Sequence, residues 1–172
     1  MEQAAMACET ADEQIKRMIT QYGDALLRMC CVQLRDAHLA EDAEQETFFK
    51  AYQGIAGFRG ECGEKTWLMR IAINVCRDYQ RKAWFKWVDR RVPVEEITLA
   101  GGQPPSPRDD TVLREVMRLP ARDREVVLLR YYQDMKLGEI SKALGVPEGT
   151  VTSRLNRARA KLRARLEGWY LE

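Results

Sequence analysis

Leu137-Gly-Glu-Ile-Ser-Lys-Ala-Leu-Gly145-Val-Pro147-Glu-Gly-Thr-Val-Thr-Ser-Arg-Leu-Asn156 has the grammar of a helix-turn-helix. Ile140 and Leu144 share one face of a short helix, Gly145 supplies backbone freedom for the turn, and Pro147 favours a helix start just after it. Val151, Leu155, Ala158 and Leu162 then recur at one helical phase and anchor the second helix to the first. The opposite face is fixed by that geometry. It carries Glu148, Thr152, Ser153, Asn156 and Arg157, short or hydrogen-bonding side chains suited to base edges in a major groove, while Arg154, Arg159, Lys161 and Arg163 are placed to meet phosphates. An Arg-rich amphipathic helix is by default a solvated face. Here Val151 to Arg165 contains no acidic residue, so the usual i to i+4 salt-bridge partners are missing and contact with duplex DNA is the better reading.

Upstream, Arg91 to Asp110 holds Pro93, Gly101, Gly102, Pro104, Pro105 and Pro107, the densest helix-breaking run in the chain. Before it, apolar residues recur at helical spacing from Ile15 to Met29, from Phe48 to Ile55 and from Trp67 to Tyr79, which predicts three helices. After it, helices are expected over 112–119, 122–132, 137–144 and from 148 to about 166. No segment alternates as a strand would. The reading is all-α: a domain at 1–92, a flexible linker at 93–111 and a helix-turn-helix domain at 112–172.

The 172 residues allow one compact domain or two small ones, and a 45% hydrophobic content suffices for a modest core. No apolar run reaches the roughly 18–20 residues of a bilayer crossing. Met1 to Thr10 has neither a basic nor an apolar run, so stable membrane insertion and secretion are disfavoured and a cytoplasmic protein is expected. Five cysteines, Cys8, Cys30, Cys31, Cys62 and Cys76, make an odd number without a CxxC pair, which suits reduced thiols. With a single histidine, His38, the spacings are wrong for a zinc cluster, and Cys30 and Cys76 read best as small core hydrophobes. Redox sensing at Cys62 or at the vicinal pair stays open. No nucleophile set, phosphate loop or isolated carboxylate pair supports catalysis, so neither an enzyme nor a cofactor or metal site is expected.

Net charge is only +2, yet residues 1–50 are predominantly acidic and 51–92 predominantly basic. The acidic part includes Leu39 to Tyr52, which brings Asp42, Gln45, Glu46 and Phe49 onto neighbouring turns. Carboxylates there would repel phosphate; they suit a basic protein partner or a solvated surface. Phe58 to Lys82 is a Gly-bearing loop followed by a helix with Arg70, Asn74, Arg77, Arg81 and Lys82, the recipe for single-stranded nucleic acid. Trp67, in phase with Ile71, reads as core.

The order of these motifs resembles the extracytoplasmic-function group of bacterial RNA polymerase sigma factors of the sigma-70 family. The resemblance runs from about Ile15 to Leu166: an acidic "AED..QE.F..AY" helix, then "F.G...KTWL.RIA.N...D..R", a linker, "LP...REV..LR" and "G.P.GTV.SRL.RAR..L". It implies two helical domains without catalytic activity or cofactor. Asp42, Gln45, Glu46 and Lys50 would dock on core RNA polymerase. The loop from Phe58 through Arg59 to Lys65, with Arg70, Asn74, Arg77 and Arg81, would hold the melted minus-10 element. Glu148, Thr152, Ser153, Arg154, Asn156, Arg157, Arg159 and Lys161 would read the duplex minus-35 element. An anti-sigma factor is the further partner implied. Ala43 and Glu44 depart from the family's bulkier apolar residues, and Ser141 from its usual Ala. The competing reading is a stand-alone helix-turn-helix regulator, which leaves the acidic helix unexplained.

Overall fold

The fold is known from a computed structural model, which describes residues 9–84 and 107–167. All regular elements among them are helical. Helix α1 spans Ala11–Leu34, α2 Ala37–Gly54, α3 Glu64–Trp84, α4 Pro107–Met117, α5 Ala121–Val127, α6 Leu137–Leu144 and α7 Glu148–Leu166.

The boundaries follow from local chemistry. Thr10 caps α1 in a reciprocal box: the Glu13 amide donates to its hydroxyl at 3.3 Å and its own amide donates to Glu13 Oε2 at 2.9 Å. Arg35 ends α1 in the left-handed conformation, φ 57°, and Asp36 immediately caps α2 by accepting from the Leu39 amide at 3.0 Å. The turn between α6 and α7 is closed by Gly145 at φ 65°, whose amide reaches Ser141 O at 2.9 Å. Ser141 itself donates to Val146 O at 2.6 Å, so the departure from alanine adds a bond to the turn. Beyond Val127, α5 continues as one π-helical stretch, Leu128–Tyr132.

Helix α4 begins at Pro107, so the last five residues of the expected linker are helical; residues 93–106 of that linker and 85–92 of the first domain lie outside the described residues. In the sequence a proline at this position reads as a breaker. At a helix's first position its fixed φ and missing N–H cost nothing, and it starts a helix as readily as it ends one.

Met18, Leu26, Met29, Leu68, Met69 and Ile73 centre the packing of α1, α2 and α3. Leu119, Leu128, Leu129, Met135 and Ile140 centre that of α4 to α7. The two sets form one continuous apolar cluster, because α3 packs along α6 while α1 touches α4 and α5. Ala43 is fully buried, and its small side chain allows close approach of α2. Glu44, at the other departure, is partly buried beside Gly23, and that burial raises its carboxyl above the usual range. Cys30, Cys31 and Cys76 are buried free thiols, with 3.6 Å between Cys30 and Cys76 sulfurs; Cys62 is half-buried, and Cys8 lies outside the described residues. Burial pushes Cys31 up to about 11, and the contact with Cys76, followed by burial, raises Cys30, which keeps both protonated and unreactive.

Candidate nucleic-acid interface

Helix α7 has its apolar stripe, Val151, Leu155 and Ala158, fully inside, against α5 and α6. Glu148, Thr152, Ser153, Asn156 and Arg157 are all exposed on the other side. Thr152 and Ser153 donate their hydroxyls to Glu148 O at 3.0 Å and Gly149 O at 2.9 Å, which leaves oxygen lone pairs facing outward. Four basic side chains on this helix are held in place, Arg165 by Glu115 at 3.5 Å. Arg157 and Lys161 reach the buried carboxylate of Asp123 at 3.4 and 2.9 Å, and Arg159 donates to the Tyr131 hydroxyl at 2.9 Å. Asp123 and Tyr131 therefore orient side chains of α7, a role hidden in the sequence because both sit two helices earlier.

Arg154 behaves differently. It falls three residues after Val151 and one before Leu155, on the flank of the apolar stripe, and is only 6% exposed. Its Nη1 is buried without a hydrogen-bond partner.

In the first half, Phe58 stacks on Trp67 with ring centroids 5.0 Å apart, both half-buried against the core. Gly54 lets the indole in: a Cβ there would meet Trp67 Cζ2 at 3.3 Å. Arg59 and Gly60 stand exposed at the loop's tip, where φ of 71° at Gly60 demands glycine. Asn74 and Arg81 are exposed on α3.

Lys65, Arg70 and Arg77, the remaining candidate cations of this half, are tied to the second half. Lys65 donates to Gln133 O, and Arg70 reaches Lys142 O at 3.0 Å through Nε and 2.5 Å through Nη2. Arg77 forms a two-pronged ion pair with Glu125, at 2.9 and 2.8 Å. Arg124, 4% exposed, donates to Gln33 O at 3.1 Å, Gln33 Oε1 at 3.2 Å and Met117 O at 2.7 Å. Burial and the neighbouring Arg35 lower the Arg124 guanidinium to about 10. These contacts close the two halves onto each other. The sequence shows each partner but not the pairing, since the paired residues lie 48 and 91 positions apart.

The acidic helix faces away from that junction. Asp42, Gln45, Phe49 and Tyr52 are exposed at spacings of one helix face, Phe49 by 60% and Tyr52 by 50%. Glu46 pairs with Lys50 at 2.8 Å and also accepts from Tyr79, which holds its carboxyl below the usual range. Among the described residues no group of histidine, cysteine and carboxylate side chains could hold a metal ion, and no helix is long and apolar enough to cross a membrane.

Comparison with known proteins matches the family model of sigma-70 region 2 to residues 18–86 and that of sigma-70 region 4 to residues 109–162. The chain is 33% identical to the ECF RNA polymerase sigma factor SigW of Bacillus subtilis, with 84% of each covered. It is 34% identical to the ECF RNA polymerase sigma factor SigM of Mycobacterium tuberculosis, covering 84% of this chain and 72% of that one. Among solved structures it resembles CnrH in complex with the cytosolic domain of CnrY, with a TM-score of 0.70, 25% identity and 91% and 90% of the two chains covered. It also shares the fold of the sigma factor RpoE from Bartonella quintana, solved with the anti-sigma factor NepR, at a TM-score of 0.74, 22% identity and coverage of 90% and 98%.

Proposed function

The chain belongs to the extracytoplasmic-function group of the sigma-70 family, and we propose that it directs promoter recognition from two surfaces that its closed arrangement only partly exposes. As an RNA polymerase sigma factor it binds core polymerase and promoter DNA and sets where transcription begins. Its family is one of initiation factors, not of known enzymes.

Asp42, Gln45, Glu46 and Lys50 dock on core polymerase, with Phe49 as the apolar centre of that contact. Residues 1–92 and the loop from Phe58 to Lys65, with Arg70, Asn74, Arg77 and Arg81, take the melted minus-10 strand. Residues 112–172 read the minus-35 duplex through Thr152, Ser153, Asn156 and Arg157, flanked by Glu148, Arg154, Arg159 and Lys161. The observation that carries this reading is the exposed polar face of α7 over a buried Val151, Leu155 and Ala158, since only a helix anchored that way can enter a groove. Arg70, Arg77 and Arg154 are engaged or buried in the closed arrangement, so DNA binding on this reading requires the halves to separate. The fold is shared with a sigma factor solved with an anti-sigma factor, and on this reading an anti-sigma factor that favours the closed form is the further partner. The site of action is the cytoplasm.

The test is transcription in vitro: sigma-free core polymerase, the purified chain and a library of linear genomic DNA, with transcript starts sequenced. Starts that share minus-10 and minus-35 elements are expected. Random starts, or specific duplex protection by the chain without polymerase, would favour a stand-alone regulator instead.

A further inference from the structure

Between α3 and the first turn of α5 lies an open cleft of about 670 Å³, lined by Asn74, Arg77, Asp78 and Arg81 on one wall and Arg122 and Glu125 on the other. Its charges do not cancel. Glu125 is committed to Arg77 through both oxygens, and Asp78 is paired with Arg81. Arg122, exposed at the mouth, makes no hydrogen bond or ion pair among the described residues. Its electrostatic neighbour Arg154 is 6% exposed, with an unpartnered Nη1. Burial, and then the proximity of Arg122, lowers the Arg154 pKa, with Glu125 and Arg77 also among its electrostatic neighbours. Three arginines, Arg77, Arg81 and Arg122, thus line a cleft whose two carboxylates are already engaged, with Arg154 as a further electrostatic neighbour.

A buried cation without a partner is costly, and a site that leaves one behind calls for an anion. Arginine presents paired N–H donors that fit phosphate oxygens two at a time, so several arginines on facing walls suit an anion with oxygens on more than one centre. The volume falls in the range of small-molecule sites. We propose that this cleft binds a short phosphate chain, as in inorganic tripolyphosphate or a nucleoside triphosphate, which bridges α3 and α5 and holds the two halves closed. Bound there, the anion occupies Arg77 and Arg81 and so opposes the engagement of DNA. The proposal goes beyond promoter recognition and is tested without polymerase, so its failure is separate from failure of the sigma-factor reading.

The experiment follows thermal unfolding of the full chain without magnesium while sodium tripolyphosphate is titrated against sodium chloride at equal ionic strength. A ligand that binds only the closed fold raises the midpoint, here by about 5 °C near saturation, and the Arg122→Ala chain should need at least about tenfold more tripolyphosphate for the same rise. Arg122 is exposed and outside the expected promoter and polymerase contacts, so its loss leaves the fold intact. ATP acting at the same concentration as tripolyphosphate identifies the phosphate chain as the recognised group, and ATP acting at lower concentration identifies a nucleotide; both support the site. No rise beyond that in chloride, or an identical titration in Arg122→Ala, overturns it. So does a single-stranded oligonucleotide that stabilises both chains as steeply as tripolyphosphate, because the cleft is then only part of a DNA footprint.

Discussion

Arg77 and Glu125 clasp each other through two hydrogen bonds, at 2.9 and 2.8 Å, across the junction between the halves of the molecule. Glu125 is 2% exposed at its side chain and Arg77 32%. The arginine expected to follow a melted DNA strand is thus held by a carboxylate of the other domain. On the proposed reading, that one residue would serve two states that exclude each other.

Glu125→Gln weakens that clasp without changing volume. Stability should fall by about 1–3 kcal/mol, less than for a fully buried pair because Arg77 keeps contact with water. The same change should enlarge the radius of gyration and strengthen binding of a minus-10 single strand, since Arg77 is released. Urea denaturation, small-angle scattering and fluorescence anisotropy read the three effects. A compact Glu125→Gln chain with unchanged strand affinity would show that the clasp does not govern opening.

Asn156→Ala touches an exposed side chain and should leave folding within about 0.5 kcal/mol. Upstream promoter binding by the reconstituted polymerase should weaken by about 1–3 kcal/mol, with relaxed choice at one base position. Transcription from a set of single-base minus-35 variants measures both. Equal selectivity would remove Asn156 from the base contacts.

Phe49, 60% exposed beside Asp42 and Gln45, has no packing role to explain it. Phe49→Ala should leave the melting temperature unchanged and lower affinity for core polymerase by about tenfold or more, as expected of an aromatic at the centre of an interface. A pull-down titration with core polymerase, at any promoter or none, checks it. Asp42→Lys should act in the same direction.

Acid should destabilise the fold through Glu64. Arg17 holds that carboxylate at 2.8 and 2.9 Å, and Gln14 adds a third bond, so its pKa lies below the ordinary 4.5. The unfolded chain therefore takes up the proton first on acidification. The contribution is complete above about pH 4.5 and disappears as pH falls through the lowered value. Glu46, lowered by Lys50 and Tyr79, adds to the same limb. Urea midpoints from pH 3 to 7 should show Glu64→Gln weaker than the parent at neutral pH and converging with it at the acid end. A constant gap would assign the loss to packing.

Seven helices were legible in the sequence, most within a few residues, because helical spacing of apolar side chains is a local property and Gly145 and Pro147 punctuate it. The start of α4 was not, because Pro107 reads alike as a breaker and as a first helical residue. Of the candidate sites, the exposed faces of α2 and α7 could be drawn from periodicity alone. Arg154 could not be placed. Its position lies at the edge of the apolar stripe, and only the packing of α3 and α5 around it determines that it turns inward.

The sequence by itself determined the helices, the helix-turn-helix, the segregation of acidic from basic segments and the family, since each is written in residues near one another along the chain. The tertiary structure alone decided that the two halves share a core, that Arg124 is sealed beneath Gln33 and that Arg77 answers to Glu125. The physical reason is that such partners are distant in sequence and chemically interchangeable. Any of the arginines could neutralise any of the carboxylates, and only the shape in which the helices come to rest selects the pairs.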